Sequence, residues 1–270
     1  MHLRPKKEKK RLDNLLLEQR WVSNRQQARG LILAGKILVD GRVRDKIGNQ
    51  VDPTASIEVK EKTLCPYVGR GGWKLEKALK ELSLNVQDKV ALDVGASTGG
   101  FTDCLLQRGC RRVYAVDVGY GQLAWKLRQD PRVISLERQN IRYLTQTGIP
   151  EKADLATIDV SFISLSLVLP AVQELIVPEG DLLCLVKPQF EIGKGEVGKG
   201  GVVRDSQKHE QILRKIIAYA KKIGLQTQGM VRSPRKGPKG NVEFFLHLCS
   251  NPQGLSETEL FSLIAHVQEE

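Results

Sequence analysis

Two apolar runs in this chain end on a charge. "LATIDVSFISL" carries an apolar stretch to Asp159, and "LLCLVKPQFE" carries another to Lys187, where Pro188 stops it. A charge that closes a buried strand of an open α/β sheet faces the side on which such sheets bind ligands. A carboxylate and an ammonium placed there can hold, orient or deprotonate a hydroxyl. Two further charges, Glu243 early in "GNVEFFLHL" and Lys74 at a helix start in "GRGGWKLEKAL", read singly as solvated surface groups.

The stretch "DVGASTGGFTD", residues 93–103, nearly spells a phosphate loop. Gly95, four residues, Gly100 and the hydroxyl of Thr102 follow that pattern, but Phe101 stands where its lysine belongs. A nucleoside triphosphate would lose the cation that meets its phosphates. A dinucleotide fits no better, because Ser97 occupies the second glycine position of its fingerprint. S-adenosylmethionine carries no phosphate and a positive sulfonium, and it suits the loop. Gly95, Gly99 and Gly100 permit close backbone approach, with Ala96, Ser97, Thr98 and Phe101 completing the cradle. Asp93 at the strand end can accept from the ammonium, and Asp117, closing "RRVYAVDV", can bind both ribose hydroxyls. Asn140, after the third strand, is a candidate for the adenine edge. A tight strand–helix turn with packing glycines is the plainer reading of the loop alone; the two aspartates at strand ends favour the methyl donor.

These residues need a frame. From residue 89 the chain alternates: strand "KVALDV", helix "GGFTDCLLQRG", strand "RRVYAVDV", helix "GQLAWKLRQD", strands "RVISLE" and "ADLATIDV", and a helix from about 165. Then come strand "DLLCLVK", a long helix over 206–223, and two terminal strands near 226–232 and 242–249. Such alternation predicts an α/β fold with a mostly parallel sheet and helices on both faces. The glycine loop follows the first strand and opens a helix, at the switch point. "EIGKGEVGKGGVVRD", over 191–205, could form a mobile lid directly after Lys187 or a plain surface loop.

The 270 residues carry 42 Lys+Arg against 31 Asp+Glu, a formal charge of +11. That excess favours a polyanion, with nucleic acid first and an anionic membrane second. It is concentrated: residues 1–63 hold 15 Lys+Arg and 8 Asp+Glu. In this segment Leu12, Leu15 and Leu16 recur at helical spacing, and Ser23 can cap a second helix carrying Ala28, Leu31 and Ile32 that stops at Gly35. "KILVDGRVR" reads as a hairpin turned at Asp40-Gly41. "EKTLCPYVGRGG" looks like a connector, giving domains at 1–63 and 73–270 with a linker over 64–72. Five scattered cysteines without C-x-x-C and four unclustered histidines predict neither disulfide framework nor metal, and suit a reducing cytoplasm. The basic N-terminus lacks the apolar core of a signal peptide, and "SFISLSLVLPAVQ" is too short to span a bilayer. A cytoplasmic protein is the expectation.

Residues 10–60 resemble the alpha-L RNA-binding domain found in a small-subunit ribosomal protein and many pseudouridine synthases. The match rests on "RLD" at 11–13, Ser23, Arg25, Ala28, "GKILVDG" at 35–41 and Val43, with Asn24 standing between Ser23 and Arg25. Arg11, Arg25, Arg29 and Lys36 near the turns, with Arg4 and Lys6 ahead of them, could present a basic face to a folded RNA, or the arginines could be merely solvated. Arg70 and the cations of "RSPRKGPKG" (Arg232, Arg235, Lys236 and Lys239) extend the set toward Glu243. The rest of the chain is similar to FtsJ-type ribose methyltransferases. An alpha-L domain, "GRGGWKL", "DVGASTGGFTD", "DVSFISL" and "VKPQFE", in this order, resemble the TlyA (hemolysin A) family over nearly the full chain. The resemblance implies a Rossmann-like class I S-adenosylmethionine-dependent methyltransferase fold beside a small α+β RNA-binding domain. It implies methyl transfer to the ribose 2′-hydroxyl of cytidine in ribosomal RNA, with Lys74, Asp159, Lys187 and Glu243 as the catalytic tetrad. The rivals are an RNA-binding protein with a non-catalytic methyltransferase fold, and a haemolysin acting on membranes, for which no inserting element reads in the sequence.

Overall fold

Leucines spaced three and four apart give a short helix one apolar stripe, and the N-terminal part of the chain closes its core that way. The computed structural model describes residues 9–19, 21–22, 25–59, 65–146, 148–193, 195–198 and 200–269. The chain divides into two units, Met1–Pro66 and Tyr67–Glu270. In the first, β1 (Lys10–Arg11) leads into α1 (Leu12–Glu18) and α2 (Arg25–Leu33). Then follow β2 (Ile37–Val39), β3 (Arg42–Val43), β4 (Gln50–Val51) and β5 (Ile57–Val59). Leu12, Leu16, Ile32 and Ile37 are fully buried against one another's elements. Helix α2 ends as expected: Gly35 takes φ +64°, its N–H donates to Ile32 O and that of Lys36 to Leu31 O, the reciprocal pair of a Schellman stop. Asp40 and Gly41 both hold positive φ, 49° and 72°, as a two-residue type I′ hairpin requires. Ser23 and Asn24 lie outside the described residues.

In the second unit α3 (Gly71–Glu81), β6 (Val90–Val94), α4 (Gly100–Gln107), β7 (Arg112–Asp117), α5 (Trp125–Arg128), β8 (Val133–Glu137) and β9 (Ala153–Ile158) come first. They are followed by α6 (Leu169–Leu175), β10 (Ile176–Val186), α7 (Pro188–Glu191), α8 (Ser206–Lys222), β11 (Gln226–Arg232), β12 (Phe244–Cys249) and α9 (Glu257–Glu269). Among the described residues the sheet has seven strands in the order β11-β12-β10-β9-β6-β7-β8. Neighbours from β10 through β8 are parallel, and β12 runs antiparallel between β10 and β11. Strand β6 is buried along its whole length, which explains its unbroken apolar reading.

This topology gathers the site. The carboxyl ends of β6 to β10 share one edge, and the amino end of β12 meets them there. Val186 pairs with Phe244, so Lys187 and Glu243 occupy the next positions on adjoining strands.

Three local readings change. Tyr67 is buried, Val68 N–H donates to Asp103 Oδ2 at 2.7 Å and α3 starts at Gly71. Residues 67–72 therefore belong to the larger unit, whereas the sequence suggests a linker over 64–72; residues 60–64 lie outside the described ones. The helix expected over "GQLAWKLRQD" shrinks to the single turn α5. A terminal helix, α9, follows the last strand. Its signal is legible afterwards: Glu259 N–H donates to Ser256 Oγ while Ser256 N–H donates to Glu259 Oε2, a capping box.

Candidate active site

Lys187 caps the one-turn helix α7 where β10 stops. Its ammonium lies 2.5 Å from Asp159 Oδ1 and donates to Ser161 Oγ at 2.9 Å. Asp159 Oδ1 takes that charge contact without a directed hydrogen bond, and no other donor among the described residues reaches it. Lys74, in the first turn of α3, lies 2.5 Å from Glu243 Oε2. Glu243 is buried, and Gly237 packs so close to its Oε1 that a side chain on Gly237 would overlap it. Burial pushes the Glu243 carboxyl above its usual range, Lys74 and Lys187 pull it back, and Asp159 adds to the rise. Glu243 thus feels the charges of the other three. Two lysines and two carboxylates in a half-buried cluster can hold a hydroxyl oxygen and move its proton.

Beside this cluster opens a cavity of about 550 Å³ lined by Gly95, Ser97, Asp117, Asn140 and Asp159 among others, a size that suits a small ligand. A smaller recess is walled by Gly71, Ala96, Thr98, Gly100 and Phe101. Gly95 takes φ +86°, and a Cβ there would lie 2.5 Å from Asp159 O; Gly99 takes φ +91° with Leu127 against it. Those two glycines are forced by the turn itself. Asp117 Oδ2 accepts from Ser97 N–H at 2.8 Å and Oδ1 from Gly119 N–H at 2.7 Å. Each oxygen keeps a lone pair for a hydroxyl. Asn140 Oδ1 accepts from Arg142 N–H at 3.2 Å. Phe101 is buried against Phe245, with ring centroids 5.9 Å apart, so it anchors the loop and offers a ligand only its backbone.

Asp93 differs from the expectation. It is fully buried, and its oxygens accept from Thr102 Oγ1 at 2.6 Å and Thr157 Oγ1 at 3.1 Å. Burial pushes its carboxyl up to about 7, against the two hydroxyls. It braces the loop from below and, fully buried, lines neither the cavity nor the recess in which a ligand's ammonium would sit.

The expected RNA cations fall into three groups. Arg4 and Lys6 lie outside the described residues. Arg25, Arg29, Arg70, Lys236 and Lys239 are exposed, and Lys36 is half-buried; Arg25 also donates to Asn14 at 3.3 Å. Arg235 is exposed, and its guanidinium stacks 3.8 Å from the centre of the Trp73 ring. Two are otherwise engaged: Arg11 forks onto Asp13 with both contacts at 3.0 Å, and Arg232 donates to Gln268 O at 3.1 Å, tying β11 to α9.

The structure adds Ser161 and Phe162, neither singled out by sequence. Phe162 is 90% exposed, holds φ +63° and lies 4.9 Å from the Phe190 ring, whose centre is 6.0 Å from Lys187 Nζ. A bulky residue kept at positive φ marks a constrained site. The available signal is spacing: each phenylalanine stands three residues past the charge that closes its strand.

With this geometry, comparison is informative. The profile of the FtsJ-like methyltransferases matches residues 67–249, and that of the S4 domain matches 10–57. The 16S/23S rRNA (cytidine-2'-O)-methyltransferase TlyA of Mycobacterium tuberculosis is 46% identical over 238 residues, 88% of this chain and 89% of its own. The chain belongs to the TlyA family of FtsJ-like methyltransferases. Its larger unit is accordingly a Rossmann-like class I methyltransferase fold, and S-adenosylmethionine is its methyl donor. Other likenesses run as long: YqxC of Bacillus subtilis is 49% identical over 93% of this chain and 90% of its own. A solved structure from Streptococcus thermophilus, provisionally described as a hemolysin, is 42% identical, covers 98% of both chains and superposes with a TM-score of 0.76. Among the described residues no helix is long and apolar enough to cross a membrane.

Proposed function

We propose that this chain transfers the methyl group of S-adenosylmethionine to the ribose 2′-hydroxyl of cytidine in ribosomal RNA. The observation that carries the reading is the convergence of the Lys187–Asp159 and Lys74–Glu243 pairs beside the cavity that fits the cofactor. When bound, S-adenosylmethionine supplies the methyl group and its leaving thioether. Asp117 accepts the cofactor's ribose hydroxyls, Asn140 meets the adenine edge, and Gly95 to Gly100 let the backbone approach closely.

The Lys187 ammonium holds the ribose oxygen on the line of attack, which converts an encounter into an oriented displacement. As the oxygen gains its methyl group, the Lys187 ammonium passes one of its protons to the Asp159 carboxylate and takes the hydroxyl proton in its place, so that Asp159 ends the step protonated. Glu243, held by Lys74, balances the second positive charge of the cluster. The exposed ring of Phe162 offers a face on which the target base can stack, an interaction open to any base. The S4 domain brings the exposed Arg25 and Arg29 to RNA phosphates, which position rather than specify. The protein acts in the cytoplasm, where ribosomal RNA is found.

The test is direct. Ribosomal RNA and ribosomal subunits lacking the modification are incubated with protein and cofactor, and 2′-O-methyl groups are mapped by mass spectrometry. New methyl groups on cytidine riboses are expected. Methylation on a base, or none, would overturn the proposal.

A further inference from the structure

Glu191 lies outside the four charges and the cofactor cavity, yet it is 7% exposed. It ends α7, four residues after Lys187. Its Oε2 accepts from Ser164 Oγ at 2.6 Å and its Oε1 from Leu165 N–H at 2.8 Å. Ser164 caps the 3-10 turn Leu165–Leu167, which closes the segment that begins at Asp159. A carboxylate taken out of water costs free energy unless its oxygens are satisfied. Here both are satisfied by one short segment. Burial raises the carboxyl's affinity for a proton, and the bonds from Ser164 and Leu165, with the Lys215 charge, oppose that rise.

The segment it grips carries Asp159, Ser161 and Phe162. The segment it belongs to carries Lys187 and Phe190. Among the described residues two polar ties therefore join the loops after β9 and β10: one is the Lys187 ammonium on Asp159 and Ser161, and the other is Glu191 on Ser164 and Leu165. The Phe162 and Phe190 rings, with centroids 4.9 Å apart and planes tilted by 48°, add an apolar contact between the same loops. The first tie must be disturbed when a hydroxyl enters against Lys187. The second is buried away from the incoming group and can hold the register meanwhile.

We propose that Glu191 is a positioning residue, a buried clasp that keeps the Asp159–Phe162 segment aligned with Lys187 during methyl transfer. This rests on the ribose methyltransferase reading above. A misplacement of the order of 1 Å at an oriented site costs about a hundredfold, so a small slip between the loops is enough to matter.

The test compares Glu191→Gln with Glu191→Leu in the full chain. Glutamine keeps an oxygen for Leu165 N–H and a polar group for Ser164, so near-normal single-turnover transfer is expected. Leucine removes both bonds and should lower the transfer rate about tenfold to a hundredfold, with cofactor affinity by calorimetry unchanged. Amide hydrogen exchange of residues 160–166 should lose protection in the leucine variant and keep it in the glutamine variant. Ser164→Ala, a milder cut at the same clasp, should slow transfer less than leucine does, and adding it to Glu191→Leu should cost little more, because both remove one tie. If Glu191→Leu fails to fold, the exchange and rate of Ser164→Ala decide alone. Full-rate transfer with intact protection in the variant tested, or rate losses that add in the double variant, would overturn the clasp. If the wild-type protein methylates no ribose, the function proposed above falls, while the exchange measurement still decides whether Glu191 aligns the loops.

Discussion

The two units handle charge in opposite ways. In the S4 unit the core is aliphatic, Asp13 is its one buried charge among the described residues, and Arg25 and Arg29 stand in solvent. In the methyltransferase unit Asp93, Asp103, Lys187, Glu191 and Glu243 are all buried. A surface arginine keeps its hydration at little cost, but a carboxylate moved into the interior is costly unless paired. Charges of the first unit can therefore be numerous, interchangeable and sensitive to salt. Those of the second are few, fixed in place and shielded from salt. The first arrangement suits a phosphate backbone of any sequence, and the second suits one oxygen at one place.

If that contrast holds, the largest single effect lies at Lys187. Lys187→Ala should lower single-turnover methyl transfer by about a thousandfold, the range for losing a proton-transfer group, while calorimetry finds cofactor binding intact. Arginine should not restore the rate, because its planar, bulkier fork cannot occupy the place of an ammonium packed against Asp159 and Ser161. A Lys187→Ala protein with near-normal transfer would remove the tetrad from the mechanism. Glu243→Ala comes next, since it strands the Lys74 ammonium in a half-buried site. Breaking such a pair from one side costs about 3 kcal/mol, to be read as a lower midpoint in urea.

How much of this was legible without coordinates depends on whether the cause is local. The Asp40-Gly41 turn and the Gly35 stop are local, and the residue types alone state them. Asp159 and Lys187 were legible because each closes an apolar run in its own strand. Glu243 was not, taken singly: it enters the cluster only because β12 pairs antiparallel with β10 in a register that sets Phe244 opposite Val186. Asp93 misled for a similar reason. Its place near a strand end is visible in sequence, but Thr102 and Thr157, which fill its lone pairs, come from α4 and β9. Glu191 shows the same limit, since its partners stand 26 and 27 positions away.

Asp117→Ala sharpens the comparison at a half-buried charge. The loss of hydrogen bonds to a carboxylate should weaken S-adenosylmethionine binding about tenfold to a hundredfold, and Ser97 N–H and Gly119 N–H lose their acceptor as well. RNA affinity should be little changed. Calorimetry with unchanged cofactor affinity would take Asp117 out of the site.

Asp93 tests burial through pH. Its carboxyl titrates at about 7 in the folded chain against an ordinary 3.8. Across that window the folded state keeps a proton that the unfolded state has shed, so stability from this group is full below the lower value and is lost as pH rises through about 7. Asp93→Asn can keep contacts with both threonines and carries no charge to bury. The variant should therefore lose less stability than the wild type between about pH 4 and about pH 8. Parallel stability curves for the two proteins would show that Asp93 is not the buried acid described.

The smallest effects belong to the S4 unit, and they separate two kinds of arginine there. Arg25 and Arg29 are exposed, so alanine at either should leave the melting temperature in place. Each should weaken ribosomal RNA binding by a modest factor and make the slope of log affinity against log salt shallower by about 0.7 to 0.9, one phosphate contact's worth. Arg11 carries the same formal charge but a different task. Both arms of its fork lie on Asp13, whose carboxyl is held below its usual range first by that bond. Arg11→Ala leaves a buried carboxylate with its cation gone. It should lower the stability of the S4 unit while changing the salt slope little. A steep salt response from Arg11→Ala with unchanged melting would make Arg11 one more phosphate contact, and the division between solvent-facing and buried charge would then not hold within the smaller unit.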